Sequence, residues 1–138
     1  LNAKRFLWHS EDELAGKVGN VFPEIGDARI KEITAELMYW RKANAIHKWF
    51  VDNVQEGVDD CGHYDVSREQ LEELRQLILK VLDTKNATLL PPKEGFFFGS
   101  KTVDQYYWED LRDTAEKLDK VLTDFPPVNW YFEYHSSW

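Results

Sequence analysis

The sequence predicts an α+β fold that is mostly α, with three principal helices and a minor sheet built from the chain ends and a Gly-Phe-Phe-Phe-Gly segment. Three observations carry this expectation. Apolar residues recur at helical spacing in three long stretches. A segment near the C terminus alternates apolar and polar residues as a strand does. The length is 138 residues, of which 43% are hydrophobic and 30% charged, which suits one soluble globular domain rather than a disordered or membrane-spanning chain. Residues 1–138 are therefore read as a single domain, with an irregular arm at 1–26, a helical body at 27–123 and a C-terminal strand at 128–134.

Taken in order, residues 4–8 read as a short strand or extended arm. Gly16, Gly19, Asn20, Pro23 and Gly26 then mark an irregular connection. Asp27 is a plausible N-cap for a long first helix running to Asn53. Ile33, Leu37, Trp40, Val51 and Val54 fall on one stripe of that helix, with the polar Asn44 and His47 standing where the pattern asks for core. The second helix opens at Ser67, with Gln70 in capping-box position, and buries Leu71, Leu74, Leu77, Ile78, Val81 and Leu82. A third helix over 102–123 carries Val103, Tyr107, Leu111, Thr114, Leu118 and Val121 inward and ends before Pro126-Pro127. In the final strand, Val128, Trp130, Phe132 and Tyr134 share one side. A lone strand does not persist, so it needs residues 5–8, the Phe96–Phe98 triplet or another subunit as partner.

Composition narrows the function classes. The net charge is −8, from 25 acidic and 17 basic residues, so the long-range field disfavours duplex nucleic acid and anionic membranes. A phosphate-bearing ligand can still be held locally by a few Arg and Lys residues. No apolar run approaches the ~20 residues of a membrane span, and the N-terminal residues lack a signal peptide's apolar core, so a cytoplasmic location is expected. The single cysteine, Cys61, fits a reducing compartment. No metal is expected: Cys61 and His63 lack the paired spacing of a zinc site. No Walker loop, dinucleotide fingerprint, nucleophile elbow or zinc-protease motif is present, so no cofactor and no catalytic residue are assigned.

The densest chemistry lies in the first predicted helix. At ~100° per residue, Trp40, Asn44 and His47 share a face flanked by Arg41 and Lys48. An indole can stack on a base, an amide can read its edge, and His, Arg and Lys can hold phosphate. The competing reading makes Asn44 and His47 buried polar residues satisfied by other helices, with Arg41 and Lys48 in ordinary surface pairs. Phe96, Phe97 and Phe98 offer further ring faces, and Gly99 and Ser100 precede a helix whose first N–H groups could receive an anion.

The strings from Tyr39 to Val51, Asp60-Cys61 followed by Tyr64, Gly95 to Ser100, and the ending Tyr134-His135-Ser136-Ser137-Trp138 resemble a family of small uncharacterised proteins of tailed phages and prophages. The resemblance covers most of the chain from Met38 onward. It implies a phage origin and the cytoplasm of a bacterial host, and carries no established activity. By analogy, it suggests a non-enzymatic counter-defence factor that sequesters a nucleotide second messenger, such as a cyclic nucleotide or ADP-ribose-type ligand, in an aromatic and basic pocket of a homo-oligomer. Two other readings stay open: an acidic inhibitor that covers a host protein in the manner of a nucleic-acid mimic, and a phage structural protein without a small ligand. A nucleotide hydrolase would need an acid or base on the ligand, for which His47 is the candidate.

Overall fold

The computed structural model describes residues 1–7, 13–92 and 103–136, with only the backbone for Ala15. Four helices and a four-stranded antiparallel sheet make an α+β architecture that is mostly α. The strands are β1 (Asn2–Phe6), β2 (Glu32–Glu36), β3 (His63–Val66) and β4 (Tyr131–His135), in the spatial order β2-β1-β4-β3. The helices are α1 (Glu13–Val21), α2 (Asn44–Asn53), α3 (Arg68–Thr84) and α4 (Gln105–Asp124).

The two predicted helices in the second half of the chain form with small boundary changes. Ser67 caps α3 in a reciprocal capping box with Gln70, as its sequence implies, and Leu71, Leu74, Ile78 and Val81 are buried. Helix α4 begins at Gln105 rather than 102, because the Asp104 side chain accepts the Tyr107 N–H and sets the cap. Val103 therefore lies outside the helix and exposed, whereas Tyr107, Leu111, Thr114, Leu118 and Val121 face inward. Arg68 ties the two helices by donating to the carbonyls of Leu122 (2.8 Å) and Phe125.

The long helix over 27–53 does not exist. Glu32-Ile33-Thr34-Ala35-Glu36 instead forms β2, in which Ile33 and Ala35 turn inward and their neighbours outward. This is a period of two, which the sparse helical stripe through Ile33 and Leu37 masked. β2 pairs antiparallel with β1, Ala3 opposite Ala35. Lys42 has left-handed backbone geometry (φ 57°), so the chain turns before α2 starts at Asn44.

Two further corrections concern the first and middle parts of the chain. Residues 1–26 are not an irregular arm: they hold β1, α1 and a 3₁₀ turn at Pro23–Ile25. Leu14, Val18 and Val21 recur at helical spacing, a signal that the intervening Gly16 and Gly19 masked. Likewise, 27–123 is not purely helical, since β3 follows the Asp59–Gly62 turn. At that turn Asp60 accepts hydrogen bonds from Gly62 N–H and Tyr64 OH, and a Cβ on Gly62 would lie 2.8 Å from the Tyr64 ring.

The expectation of a sheet built from the chain ends is met by β1 and β4, which pair in the middle of the sheet with Ala3 opposite Phe132. β2 and β3 supply its edges, and the 95–99 segment lies outside the described residues. The core lies where the sheet, α2 and the α3–α4 pair meet, around Phe50, Leu71, Leu74, Ile78, Leu111, Leu118 and Phe132.

On the sheet, Glu133 lies between Lys4 (3.1 Å) and His63 (2.7 Å), whose imidazole stacks on that of His135. Burial alone would raise the Glu133 carboxyl, but hydrogen bonds from His63 and Lys4 outweigh it and hold the group below the ordinary 4.5. A folded-state value below the unfolded one stabilises the fold above pH ~4.5, and this contribution is lost as pH falls through the depressed value. Melting temperatures recorded from about pH 5 to pH 3 should therefore fall less steeply for Glu133→Gln than for the parent; parallel curves would contradict this.

Candidate functional site

The segment joining β2 to α2 is where the sequence placed its strongest chemistry, and the fold gives it an unusual form. It leaves β2 at Leu37, tucks the buried Met38 inward, and exposes Tyr39, Arg41 and Lys42. The guanidinium of Arg41 and the ammonium of Lys42 make no hydrogen bond or ion pair with any described residue. Helix α2 then begins at Asn44 with Ala43 at its N-cap, which has no side-chain acceptor for the first N–H groups. The Asn44 N–H donates instead to the Lys42 carbonyl (3.0 Å), and positive side chains and the positive end of the helix dipole share one short stretch.

Two cavities flank this stretch. One, of about 330 Å³, is lined by Tyr39, Trp40, Arg41, Lys42, Glu36 and Ser136, together with the first turn of α2 and neighbouring residues of β1 and β4. The Ser136 side chain is buried there, and its hydroxyl has no hydrogen-bond partner among the described residues. The other, of about 240 Å³, lies between the α2 N terminus and α4 and is lined by Arg41, Lys42, Asn44, Asp104, Tyr106 and Asp110. Burial, followed by the nearby charges of Asp113, Glu109 and Asp104, pushes the Asp110 carboxyl up.

The expected common helix face of Trp40, Asn44 and His47 is not a helix face, because Trp40 precedes α2. Packing nevertheless brings Trp40 and His47 together around Tyr134. The Trp40 indole donates to Thr114 Oγ1 (2.8 Å), and its ring lies 5.6 Å from Phe50 and 6.2 Å from Tyr134. It is half-buried and serves as a cavity wall rather than a free stacking face. Asn44 is buried and borders the smaller cavity. Lys48 points elsewhere and pairs with Asp52 at 2.5 Å. Phe96, Phe97, Phe98, Gly99 and Ser100 lie outside the described residues, and the N terminus of α4 is closed by Asp104.

His47 is 5% exposed and spans two elements. One ring nitrogen, Nε2, is 2.9 Å from Asp59 Oδ1, and the other, Nδ1, is 2.6 Å from the Tyr134 hydroxyl. With Asp59 ionised, Nε2–H donates to the carboxylate, which leaves Nδ1 to accept from Tyr134 in the neutral ring. The Tyr134 ring stacks on Phe50 at 3.9 Å, and burial pushes its hydroxyl well above the ordinary tyrosine range. The chain Tyr134–His47–Asp59 thus clamps β4, α2 and the 54–62 loop together; His47 is buried and satisfied, but by a strand and a loop rather than by other helices.

Sequence reasoning missed Tyr39, Lys42, Asp59, Tyr106, Tyr134 and Ser136 as site or network residues. Lys42 carried one usable signal: a cation directly beside Arg41 and next to the start of a helix. Asp59 was visible only as part of the Asp-Asp-Cys-Gly-His run, and its partner lies 12 positions away.

No family model, curated protein or solved structure matches the chain. Among the described residues, no helix is long and apolar enough to cross a membrane.

Proposed function

We propose that this chain is a phage-encoded, non-enzymatic binding protein that holds a phosphate-bearing nucleotide messenger and thereby removes it from a bacterial host's defence signalling. The observation that carries this reading is the Arg41–Lys42 couple at the start of α2, set in a cavity with the buried Ser136 hydroxyl, none of the three paired among the described residues. Two cations, the positive end of the α2 dipole and a hydroxyl donor form an anion receptor. Tyr39, 70% exposed beside them, supplies the ring face for a base in place of Trp40. The phage origin and the counter-defence role rest on the sequence resemblance. The absence of turnover is supported by His47, whose ring nitrogens are both engaged within the fold.

The test is thermal melting of the purified protein with cyclic di- and trinucleotides and cyclic ADP-ribose isomers, followed by heat release and analysis of the nucleotide. A ligand at 100 times its Kd stabilises by about 2.7 kcal/mol, or roughly 7–12 °C for a domain of this size. A shift with the nucleotide recovered intact is expected. Recovery of an altered nucleotide would make the protein an enzyme, and no shift with any member would overturn the reading.

A further inference from the structure

The two cavities share a wall. Arg41, Lys42, Ala43 and Ile46 line both, so the unpaired cations and the start of α2 stand between two recesses rather than at the end of one. Each recess has the same kinds of group at its own side. The larger has Tyr39 and the carboxylate of Glu36; the smaller has Tyr106 and the carboxyl groups of Asp104 and Asp110. Tyr39 and Tyr106 are 70% and 73% exposed, so both ring faces are open to a ligand. Neither ring is held by a ring contact within the described fold.

We infer that the site takes a dinucleotide: its phosphates lie on the Arg41–Lys42 wall, one nucleoside enters each recess, and the bases stack on Tyr39 and Tyr106. This rests on the anion-receptor reading of that wall and adds the ligand's two-armed form. Three arguments support it. First, volumes of about 330 and 240 Å³ sit individually near or below the lower end of small-molecule sites, about 300–1,000 Å³, and together fall within that range. Second, the positive charge lies centrally and the negative charge at the two flanks. That order suits a molecule with anionic phosphates in the middle and hydroxyl and amine donors outward. A ribose hydroxyl or exocyclic amine donates to a carboxylate, whereas a terminal phosphate placed in either flank would meet Glu36 or the Asp104–Asp110 pair. Third, a base is flat and needs a ring face, and each recess supplies one at its mouth. A mononucleotide would use the shared wall and only one ring.

Calorimetric titration with cyclic di-AMP, cyclic di-GMP and cyclic GMP-AMP, set against AMP, GMP and inorganic pyrophosphate, tests this. At least one dinucleotide is expected to bind about a hundredfold tighter than its mononucleotide, because the second arm engages intramolecularly. Tyr106→Ala and Tyr39→Ala, both at exposed positions that leave the core intact, should each weaken dinucleotide binding about tenfold. At least one of the two should leave pyrophosphate binding unchanged. Equal affinity for mono- and dinucleotides, or dinucleotide binding indifferent to both tyrosines, would overturn the two-armed assignment. In that case, pyrophosphate or mononucleotide binding that is lost in Arg41→Ala would leave the anion receptor standing. If pyrophosphate, mononucleotides and dinucleotides all fail to bind the parent protein, both readings fall.

Discussion

Replacing Arg41 by Ala and Lys42 by Gly together is expected to abolish ligand-induced stabilisation and to raise the melting temperature of the ligand-free protein. Loss of binding follows from chemistry. Each charge-assisted hydrogen bond to a phosphate contributes about 1.5–3 kcal/mol, so removing two weakens binding by about two to four powers of ten. The gain in stability follows from the backbone. Lys42 is held at φ 57°, a left-handed geometry that costs a side-chain-bearing residue about 1–2 kcal/mol and glycine little. After the entropy lost by glycine, a net gain of about 0.5–1 kcal/mol remains, or about 2–4 °C. Neither side chain has a partner in the described fold whose loss would offset it. Melting curves of the double variant with and without the tightest ligand check both halves, and an unchanged ligand shift would remove Arg41 and Lys42 from the site.

His47→Ala should destabilise the protein by about 2–4 kcal/mol in urea unfolding, more than Tyr134→Phe at about 1–1.5 kcal/mol. The asymmetry comes from what each change leaves behind. Removing the imidazole strands the buried Tyr134 hydroxyl, takes from Asp59 its 2.9 Å contact with the ring, and opens a cavity beside Tyr134. Removing only the hydroxyl leaves Nδ1 without its donor but keeps the ring stack. The double variant should lose less than the sum of the single losses by about 1–2 kcal/mol, since the hydroxyl no longer matters once its acceptor is gone. A loss below about 1 kcal/mol for His47→Ala would mean that the clamp contributes little.

The parts of the fold that could be read from sequence were those whose signals are local. Ser67 and Gln70 announce α3 within four residues, and the leucines after them repeat in phase. The alternation of Phe132 and Tyr134 announces β4. The region before α2 was illegible for a related reason: Ile33, Leu37 and Trp40 fit a helical stripe, and only pairing with β1 decides that Ile33 and Ala35 belong to a strand. β3 is four residues long, too short for a periodic signal to emerge. Of the site, Arg41 was found because it is a cation among aromatic residues, and it is indeed placed at the cavities. Lys48 shares that chemistry, but its helix position turns it toward Asp52. Ser136 and Tyr106 could not be found, since nothing local to either residue shows that the fold returns it to the loop before α2.

The sheet order also governs how the chain reaches this state. β4 lies between β1 and β3, yet more than sixty residues separate it from β3 and more than a hundred from β1. The α3–α4 pair lies within one stretch of chain and can assemble early, as can the β1–β2 pairing, but His47 has no Tyr134 and β3 has no neighbour until residues 131–135 come back. Closing so long a loop costs chain entropy before any contact compensates it. Folding is therefore expected to be paced by the arrival of a single five-residue strand, slower than a helical bundle of the same length.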